Sequence, residues 1–182
     1  MTSILKVSTI QNTAGGAPTA ADLGLNVAGS VVQVVSATKT DTFSTSSDTF
    51  VDVTGLSVNI TPSSATSKIV VTASVTGAGT TNAARMEGRL VRDSTPIFVG
   101  DGAGSRGQAS FEIYKTEASG LDSVSVNFFD APATTSLVTY KVQVRDNNSS
   151  ASSVFINRSQ TDTDASTYNR YASTITLMEI AQ

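Results

Sequence analysis

The side chains that could do chemistry in this sequence are carboxylates and hydroxyls, because it contains no Cys, His or Trp. Thiol nucleophiles, Cys/His zinc sites and His general bases are excluded, since each needs an atom that the chain lacks. Two nearby carboxylate pairs are suited by type to glycoside hydrolysis: Glu112 with Glu117, and Asp162 with Asp164. Sugar-cleaving grooves usually also use aromatic platforms, and only 4 Tyr are present. We therefore predict no catalytic residues and a protein that is not an enzyme.

A glycine-rich segment, GDGAGSRG at residues 100–107, invites comparison with a phosphate-binding loop. It lacks the Gly-Lys-Ser/Thr ending, and we expect it to join two strands rather than to lead into a helix N-terminus. The run from Asp162 to Asp164 offers oxygen ligands for calcium but lacks the glycine-centred loop and bidentate Glu of a calcium site. Both segments are predicted to be structural or solvated loops, and we expect neither a metal nor a cofactor.

The polar segment 157–171 is the best candidate for a recognition surface. Its candidate recognition residues are Arg158, Tyr168, Arg170 and Tyr171, which combine cationic donors with aromatic rings. A loop buried between subunits would explain the same composition equally well.

The elements that must position these residues are predicted to be strands. The chain has 26 Ser, 26 Thr, 20 Val and 9 Ile, and branched side chains suit a pleated sheet better than a helix. Alternation of apolar and polar residues predicts inward faces at Ile69, Val71, Ala73 and Val75, and again at Tyr140, Val142 and Val144. Nine or ten such strands, separated by turn residues, predict an all-β fold: an antiparallel β-sandwich of jelly-roll type.

The first 29 residues differ from the rest, because they show turn-rich sequence with no sustained hydrophobic periodicity. We interpret residues 1–29 as a short extended N-terminal attachment arm and residues 30–182 as the β-sandwich head domain. The apolar side chains of the arm are the candidate attachment residues: Ile4, Leu5, Val7 and Ile10.

The charge pattern argues against two classes of partner. Lys and Arg number 12 against 15 Asp and Glu, a net charge of −3, whereas a nucleic-acid binder normally clusters cations to neutralise phosphate. The longest uncharged stretches are rich in Gly, Ala, Ser and Thr and fall short of the ~20 mostly apolar residues of a membrane helix. We predict no nucleic-acid partner and no membrane insertion.

Several motifs in the same order resemble a family of bacteriophage virion structural proteins, the tail-fibre-like or appendage proteins of aquatic phages. The resemblance covers nearly the whole chain and rests on the following segments: ILKVSTIQN at 4–12, GSVVQVV at 29–35, TGLSVNITPSS at 54–64 with SKIV at 67–70, RDSTP at 92–96, GDGAGSR at 100–106, DAPATTS at 130–136 with TYKVQ at 139–143, FINR at 155–158 and STITLMEIA at 173–181.

The resemblance implies a non-enzymatic structural protein of the virion, assembled in the host cytoplasm, that docks through its N-terminal arm and presents the head for host-surface attachment. A tail fibre is the leading interpretation; a capsid decoration, cement or head-fibre protein is the alternative, and a polysaccharide depolymerase is a third. The implied partners are other virion proteins of the tail, portal, adaptor or capsid, and a glycan or protein of the host surface. Only 7 Phe supply large apolar volume, and such a thin core, together with the resemblance, predicts a homotrimer.

Overall fold

The fold is seen in a computed structural model of the chain. It describes residues 8–18, 23, 27–80, 84–114, 117–148 and 152–182. Of the candidate attachment residues, Ile4, Leu5 and Val7 lie outside the described residues, whereas Ile10 is described and exposed. Residues 8–18 form no strand; a turn is closed there by Asn12, whose side-chain oxygen accepts from the amides of Ala14 and Gly16.

Strands are the regular elements of the described chain, and no helix occurs there that is long and apolar enough to cross a membrane. The strands are β1 (Val31–Lys39), β2 (Phe43–Thr45), β3 (Val51–Ile60), β4 (Lys68–Gly79), β5 (Arg85–Arg92), β6 (Thr95–Ile97), β7 (Phe111–Tyr114), β8 (Asp122–Asp130), β9 (Val138–Asp146), β10 (Val154–Ile156) and β11 (Ser173–Ile180).

Two antiparallel sheets contain these strands. In sheet A the order is β1, β11, β4 and β8. β10 lies beside β4 on the same side as β11, beyond the end of β11, and β2 pairs with β10 beyond the end of β1. In sheet B the order is β3, β9 and β5, with β6 and β7 both on the far side of β5. Joining the interrupted strands β1 with β2, β6 with β7, and β10 with β11 leaves eight strands in the order of a jelly roll. The predicted fold is therefore confirmed.

The core lies between the two sheets and follows the predicted alternation. Ile69, Val71, Ala73 and Val75 of β4 are buried, and so are the predicted inward residues of β9. Because successive side chains of a strand point to opposite faces, this period of two places the intervening Ser and Thr on the outer faces.

The sequence predicts nine or ten strands, whereas the described chain has eleven. β3 is a single strand with a register shift between Asp52 and Ser57, where Gly55 has φ of +89°. The source of the large core volume also differs from the expectation. Of the Phe side chains, only Phe111 and Phe155 are buried, so most of the large core volume comes from other residues: Tyr140, Leu56, Ile69, Met86, Leu90, Ile156, Ile175 and Leu177.

One buried polar cluster joins the two sheets. Tyr140 of sheet B donates its hydroxyl to Asp130 Oδ2 of sheet A at 2.6 Å, and Nη1 of Arg92 donates to both carboxylate oxygens at 2.7 and 2.8 Å. Burial and the neighbouring Asp130 carboxylate raise the pKa of Tyr140 well above its usual value. The carboxylate is satisfied by a cation and a phenol, which is the condition for burying such a charge at moderate cost.

A second buried carboxylate, Glu179 of β11, has no cationic partner in the described chain. Its Oε1 accepts from the amide and the hydroxyl of Ser63 at 2.7 and 2.6 Å, and its Oε2 accepts from Nε2 of Gln33 at 2.6 Å. Burial alone would raise the pKa of Glu179, but hydrogen bonds from Ser63, Gln33 and Ser67 outweigh it and hold the pKa below its usual range. Glu179 thereby fixes the connection that carries the chain from sheet B to sheet A.

Candidate functional site

The candidate recognition residues lie in one excursion, residues 157–172, that interrupts a continuous strand. β10 pairs with residues 77–79 of β4, and β11 pairs with residues 68–74 of the same strand. The amide of Asn157 donates to the carbonyl of Thr76 at 2.9 Å, so the backbone stays paired up to the point where the loop leaves the sheet. We call residues 157–172 the insertion loop.

Asn157 closes the base of the insertion loop. Its backbone has φ of +62°, a left-handed conformation that Asn tolerates better than most residues. Its buried Nδ2 donates to the carbonyls of Lys39 and Asp41 at 2.8 and 2.9 Å, and its own carbonyl accepts from the amide of Tyr171 at 3.1 Å. The two ends of the loop are thus tied to each other and to the break between β1 and β2.

Ion pairs brace the interior of the insertion loop. Arg170 Nη2 lies 2.7 Å from Asp162 Oδ1, and Arg158 Nη1 lies 3.8 Å from Asp162 Oδ2. The Arg158 guanidinium also stacks on the Phe155 ring, 4.2 Å from its centroid, and Nη1 donates to the carbonyls of Ser159 and Gln160. Asp162 is therefore held between two cations, an environment that opposes the calcium role considered for it.

A pocket of about 250 Å³ opens at the outer end of this loop. Five of its six lining residues are polar; the six are Asp162, Thr163, Asp164, Ala165, Tyr168 and Arg170. Backbone hydrogen bonds from Ala165 to Thr163 and from Tyr168 to Ala165 turn the chain around it, and the amide of Thr161 donates to the carbonyl of Ala118 in the β7–β8 connection. The segment that lines the pocket is consequently held by local turns, and the residue just before it is bonded to a second loop.

The structure separates the four predicted recognition residues into three positions. Tyr168 and Arg170 line the pocket, Arg158 supports it through Asp162, and Tyr171 is exposed near the base of the loop, outside the pocket lining. Sequence reasoning missed Asn157 and the bracing role of Asp162. The only local signal for the Arg158–Asp162 ion pair was their four-residue spacing. That spacing predicts a contact in a helix, where residues four apart face each other, but not in a loop.

The other candidate groups stay apart from this pocket. Glu112 lies on β7, opposite Glu87 in the strand register and 3.7 Å from Arg85, while Glu117 is exposed in the connection to β8. The glycine-rich segment 100–107 joins β6 to β7, so it leads into a strand as predicted. Across the described residues, no group of three or more Asp, Glu, His or Cys side chains is arranged to hold a metal ion.

The outer face of sheet B carries charges that partner one another. The guanidinium groups of Arg89 and Arg145 stack on the Phe50 ring, 4.1 and 4.7 Å from its centroid. Nη2 of Arg145 pairs with Glu87 at 2.7 Å, and Nζ of Lys141 pairs with Asp52 at 2.8 Å. Burial and the neighbouring Arg145 lower the pKa of Arg89.

The outer face of sheet A is different, because it is nearly uncharged. One row of apolar side chains crosses four adjacent strands in register: Val34, Met178, Val70 and Phe129. The row on one side of it carries hydroxyl and amide side chains: Ser36, Thr176, Thr72 and Asn127. The row on the other side includes Val31, Ile180 and Lys68. Phe129 ends the apolar row on the edge strand β8 and is 63% exposed, the highest value among the large apolar side chains of the described chain.

No protein-family model matches this sequence, and no curated protein matches it.

Proposed function

We propose that this chain is a non-enzymatic structural protein of a bacteriophage virion, a tail fibre or related appendage. Residues 1–29 dock it to the particle, and the jelly-roll head presents the insertion loop to the host surface. The observation that carries the proposal is the insertion loop itself: a surface excursion that is tied down at its base by Asn157, braced by Asp162 and open at its outer end. Binding residues concentrate on loops that a rigid scaffold positions.

Two further features support the proposal. The jelly roll is an architecture used by viral capsid proteins and lectins. The segment 8–18 is mostly exposed and adds no strand to either sheet, which suits a docking segment that becomes ordered against a partner. The motif resemblance points to the same class of protein.

Removal of residues 1–29 tests the proposed docking arm. The truncated chain keeps every strand of the jelly roll, since β1 begins at Val31, so we expect a folded, soluble head that no longer enters particles. Particles made with the full-length chain serve as the control. Incorporation of the truncated chain at the level of the full-length chain would overturn the assignment of the arm.

The copy number in purified particles distinguishes a tail appendage from a capsid decoration. A tail carries few copies of each fibre protein, whereas a decoration protein must repeat over the capsid lattice. Quantitative mass spectrometry against the major capsid protein, combined with antibody labelling in electron micrographs, measures both number and position. Low copy number at the tail supports the appendage, and dense labelling of the capsid would instead support the decoration protein.

A further inference from the structure

The pocket of the insertion loop has balanced charge, and this balance restricts what it can bind. Asp162 and Asp164 contribute two negative charges, and Arg170, with Arg158 behind Asp162, contributes two positive charges. A phosphate or carboxylate ligand would meet two carboxylates, and a cation would meet two guanidinium groups. An apolar ligand would bury polar groups without giving them partners, which is unfavourable.

The groups left for a ligand suit a ring bearing several hydroxyls. Within the described chain, Asp164 makes no hydrogen bond or ion pair, so its carboxylate oxygens are open to accept from ligand hydroxyls. Arg170 uses Nη2 toward Asp162, and a guanidinium has five N–H donors. The partly buried Tyr168 ring offers a face against which the C–H groups of a sugar can pack.

The pocket is also held in shape before any ligand arrives. The base hydrogen bonds of Asn157, the Asp162 ion pairs and the contact with Ala118 restrain the loop that lines it. Binding to a restrained loop loses less conformational entropy than binding to a loop that must first become ordered. We infer that this pocket binds a single neutral pyranose unit of a glycan, with Asp164 accepting from its hydroxyls, Arg170 donating to it and Tyr168 packing against the ring. The inference rests on the attachment role proposed above for the same loop.

Nuclear magnetic resonance titration of the full-length chain tests this directly. The probes are the methyl glycosides of glucose, galactose and mannose together with N-acetylglucosamine, and the counter-probes are glucuronate and inorganic phosphate. We expect at least one neutral sugar to shift amide resonances of residues 161–170 saturably, with a dissociation constant on the order of 1 mM, as befits a ligand of this size. The counter-probes should bind several-fold more weakly, roughly the effect of one unfavourable charge contact near a protein surface.

Three variants assign the contacts. Tyr168→Ala should abolish measurable binding, Tyr168→Phe should retain it because the ring remains, and Asp164→Asn should weaken it about tenfold by removing a charged acceptor. The matched controls are Tyr114→Ala on β7 and Asp101→Asn in the glycine-rich segment, both outside the pocket. Near-native amide spectra of each variant establish that it is folded.

Three results would overturn the inference: no saturable shift with any of the neutral sugars, unchanged binding in both Tyr168→Ala and Asp164→Asn, or tighter binding of glucuronate or phosphate. These outcomes are separate from failure of the proposed function. If the chain is found at the tail but binds none of the sugars, only the sugar-binding inference is overturned. If the chain binds a neutral sugar but is absent from particles, the virion role is overturned and the sugar-binding inference stands.

Discussion

The hydroxyl of Ser173 donates to Oδ1 of Asn157 at 2.6 Å, joining the two ends of the insertion loop. The same hydroxyl accepts from the amide of Thr76 at 3.0 Å, on the neighbouring strand β4. In the gap between β10 and β11, the carbonyl of Thr76 is paired by the amide of Asn157 and the amide of Thr76 by the hydroxyl of Ser173. The long excursion of residues 157–172 leaves the sheet without breaking it, because Asn157 and Ser173 satisfy the polar groups exposed at the break.

Replacing Asn157 with Ala should destabilise the protein strongly. The change leaves the buried carbonyls of Lys39 and Asp41 without the Nδ2 donor and places Ala in a left-handed conformation. We expect a loss of roughly 2–4 kcal/mol in the free energy of unfolding, measured from urea midpoints. Asn157→Gly removes the same side chain without the backbone strain and should lose less.

Asn169, exposed in the same loop, is the matched control for this change. Asn169→Ala should alter the free energy of unfolding by less than ~0.5 kcal/mol, as is usual for surface positions. Equal stability of the Asn157→Ala variant and the wild type would show that the base of the loop is not held by this side chain.

Glu179→Gln should lower stability at neutral pH and flatten its acid dependence. The carboxylate accepts from Ser63 and Gln33, and an amide cannot accept all of these bonds, so we expect a loss of roughly 1–3 kcal/mol at pH 7. Hydrogen bonding holds the folded-state pKa of Glu179 below the ordinary 4.5. Its stabilising contribution is thus complete above pH 4.5 and is lost as the pH falls below that value.

Urea titrations at a series of pH values measure this difference. The difference in free energy of unfolding between the wild type and Glu179→Gln should narrow below pH 4.5. Glu112→Gln is the control and should have little effect on this free energy, because its exposed carboxylate lies 3.7 Å from Arg85 in a surface ion pair. A gap that stays constant with pH would contradict the lowered pKa.

The contrast between the strands and the buried polar groups shows how much the sequence can predict. Alternation in β4 and β9 is a local pattern, because each inward residue is two positions from the next, and both faces were predicted from it. The partner of Glu179 is not local: Ser63 lies 116 residues away. Nothing near Glu179 in the sequence marks it as buried.

The site shows the same limit on a smaller scale. Tyr168 and Arg170 were expected on a polar surface loop because their neighbours are polar, and both do line the pocket. The left-handed conformation of Asn157 and its bonds to residues 39 and 41 depend on how β1 and β2 pass the loop base. That arrangement is a property of the assembled sheet rather than of the segment.

Tyr140→Phe should weaken the contact between the two sheets. The hydroxyl donates to the buried Asp130 carboxylate at 2.6 Å, and a hydrogen bond to a charged group contributes roughly 1.5–3 kcal/mol to the free energy of unfolding. Burial and Asp130 raise the folded-state pKa of Tyr140 above its ordinary 10.0. The phenol therefore stabilises the fold fully below pH 10.0, and this contribution is lost as the pH rises further.

The stability gap between wild type and Tyr140→Phe should accordingly narrow above pH 10.0. Absorbance titration of tyrosinate tests the same assignment, since we expect the Tyr140 phenol to lose its proton only when the protein unfolds. Tyr114→Phe, at an exposed phenol, is the control and should leave the free energy of unfolding nearly unchanged. Ionisation of all 4 Tyr side chains while the protein is still folded would contradict the raised pKa of Tyr140.

Gly88→Ala should destabilise sheet B because the Phe111 ring lies directly over Gly88. A Cβ at this position would overlap three ring atoms of Phe111, because all three lie well inside van der Waals contact distance, and such overpacking costs about 1–3 kcal/mol. In the Gly88→Ala, Phe111→Ala double variant the added methyl group has room. The loss in its free energy of unfolding should therefore be smaller than the sum of the losses in the two single variants. Gly102→Ala, whose new Cβ would make an ordinary contact with Gln108 Nε2 at 4.0 Å, is the neutral control. Strict additivity in the double variant would contradict the close packing.

Phe129→Ser should change self-association rather than folding. If the chain forms the proposed homotrimer, light scattering of the full-length protein at micromolar concentration gives three times the 18.8 kDa chain mass. Phe129 ends the apolar row on sheet A and is 63% exposed, so burial of this face between copies makes its ring a major contact. The Phe129→Ser variant should then shift toward monomer, while its urea midpoint at low concentration stays near that of the wild type.

Leu137→Ser is the matched control, because Leu137 is similarly exposed but lies outside the apolar row, and this variant should remain trimeric. A monomeric wild type would contradict the trimer. Dissociation of both variants would contradict the choice of the outer face of sheet A as the contact between copies.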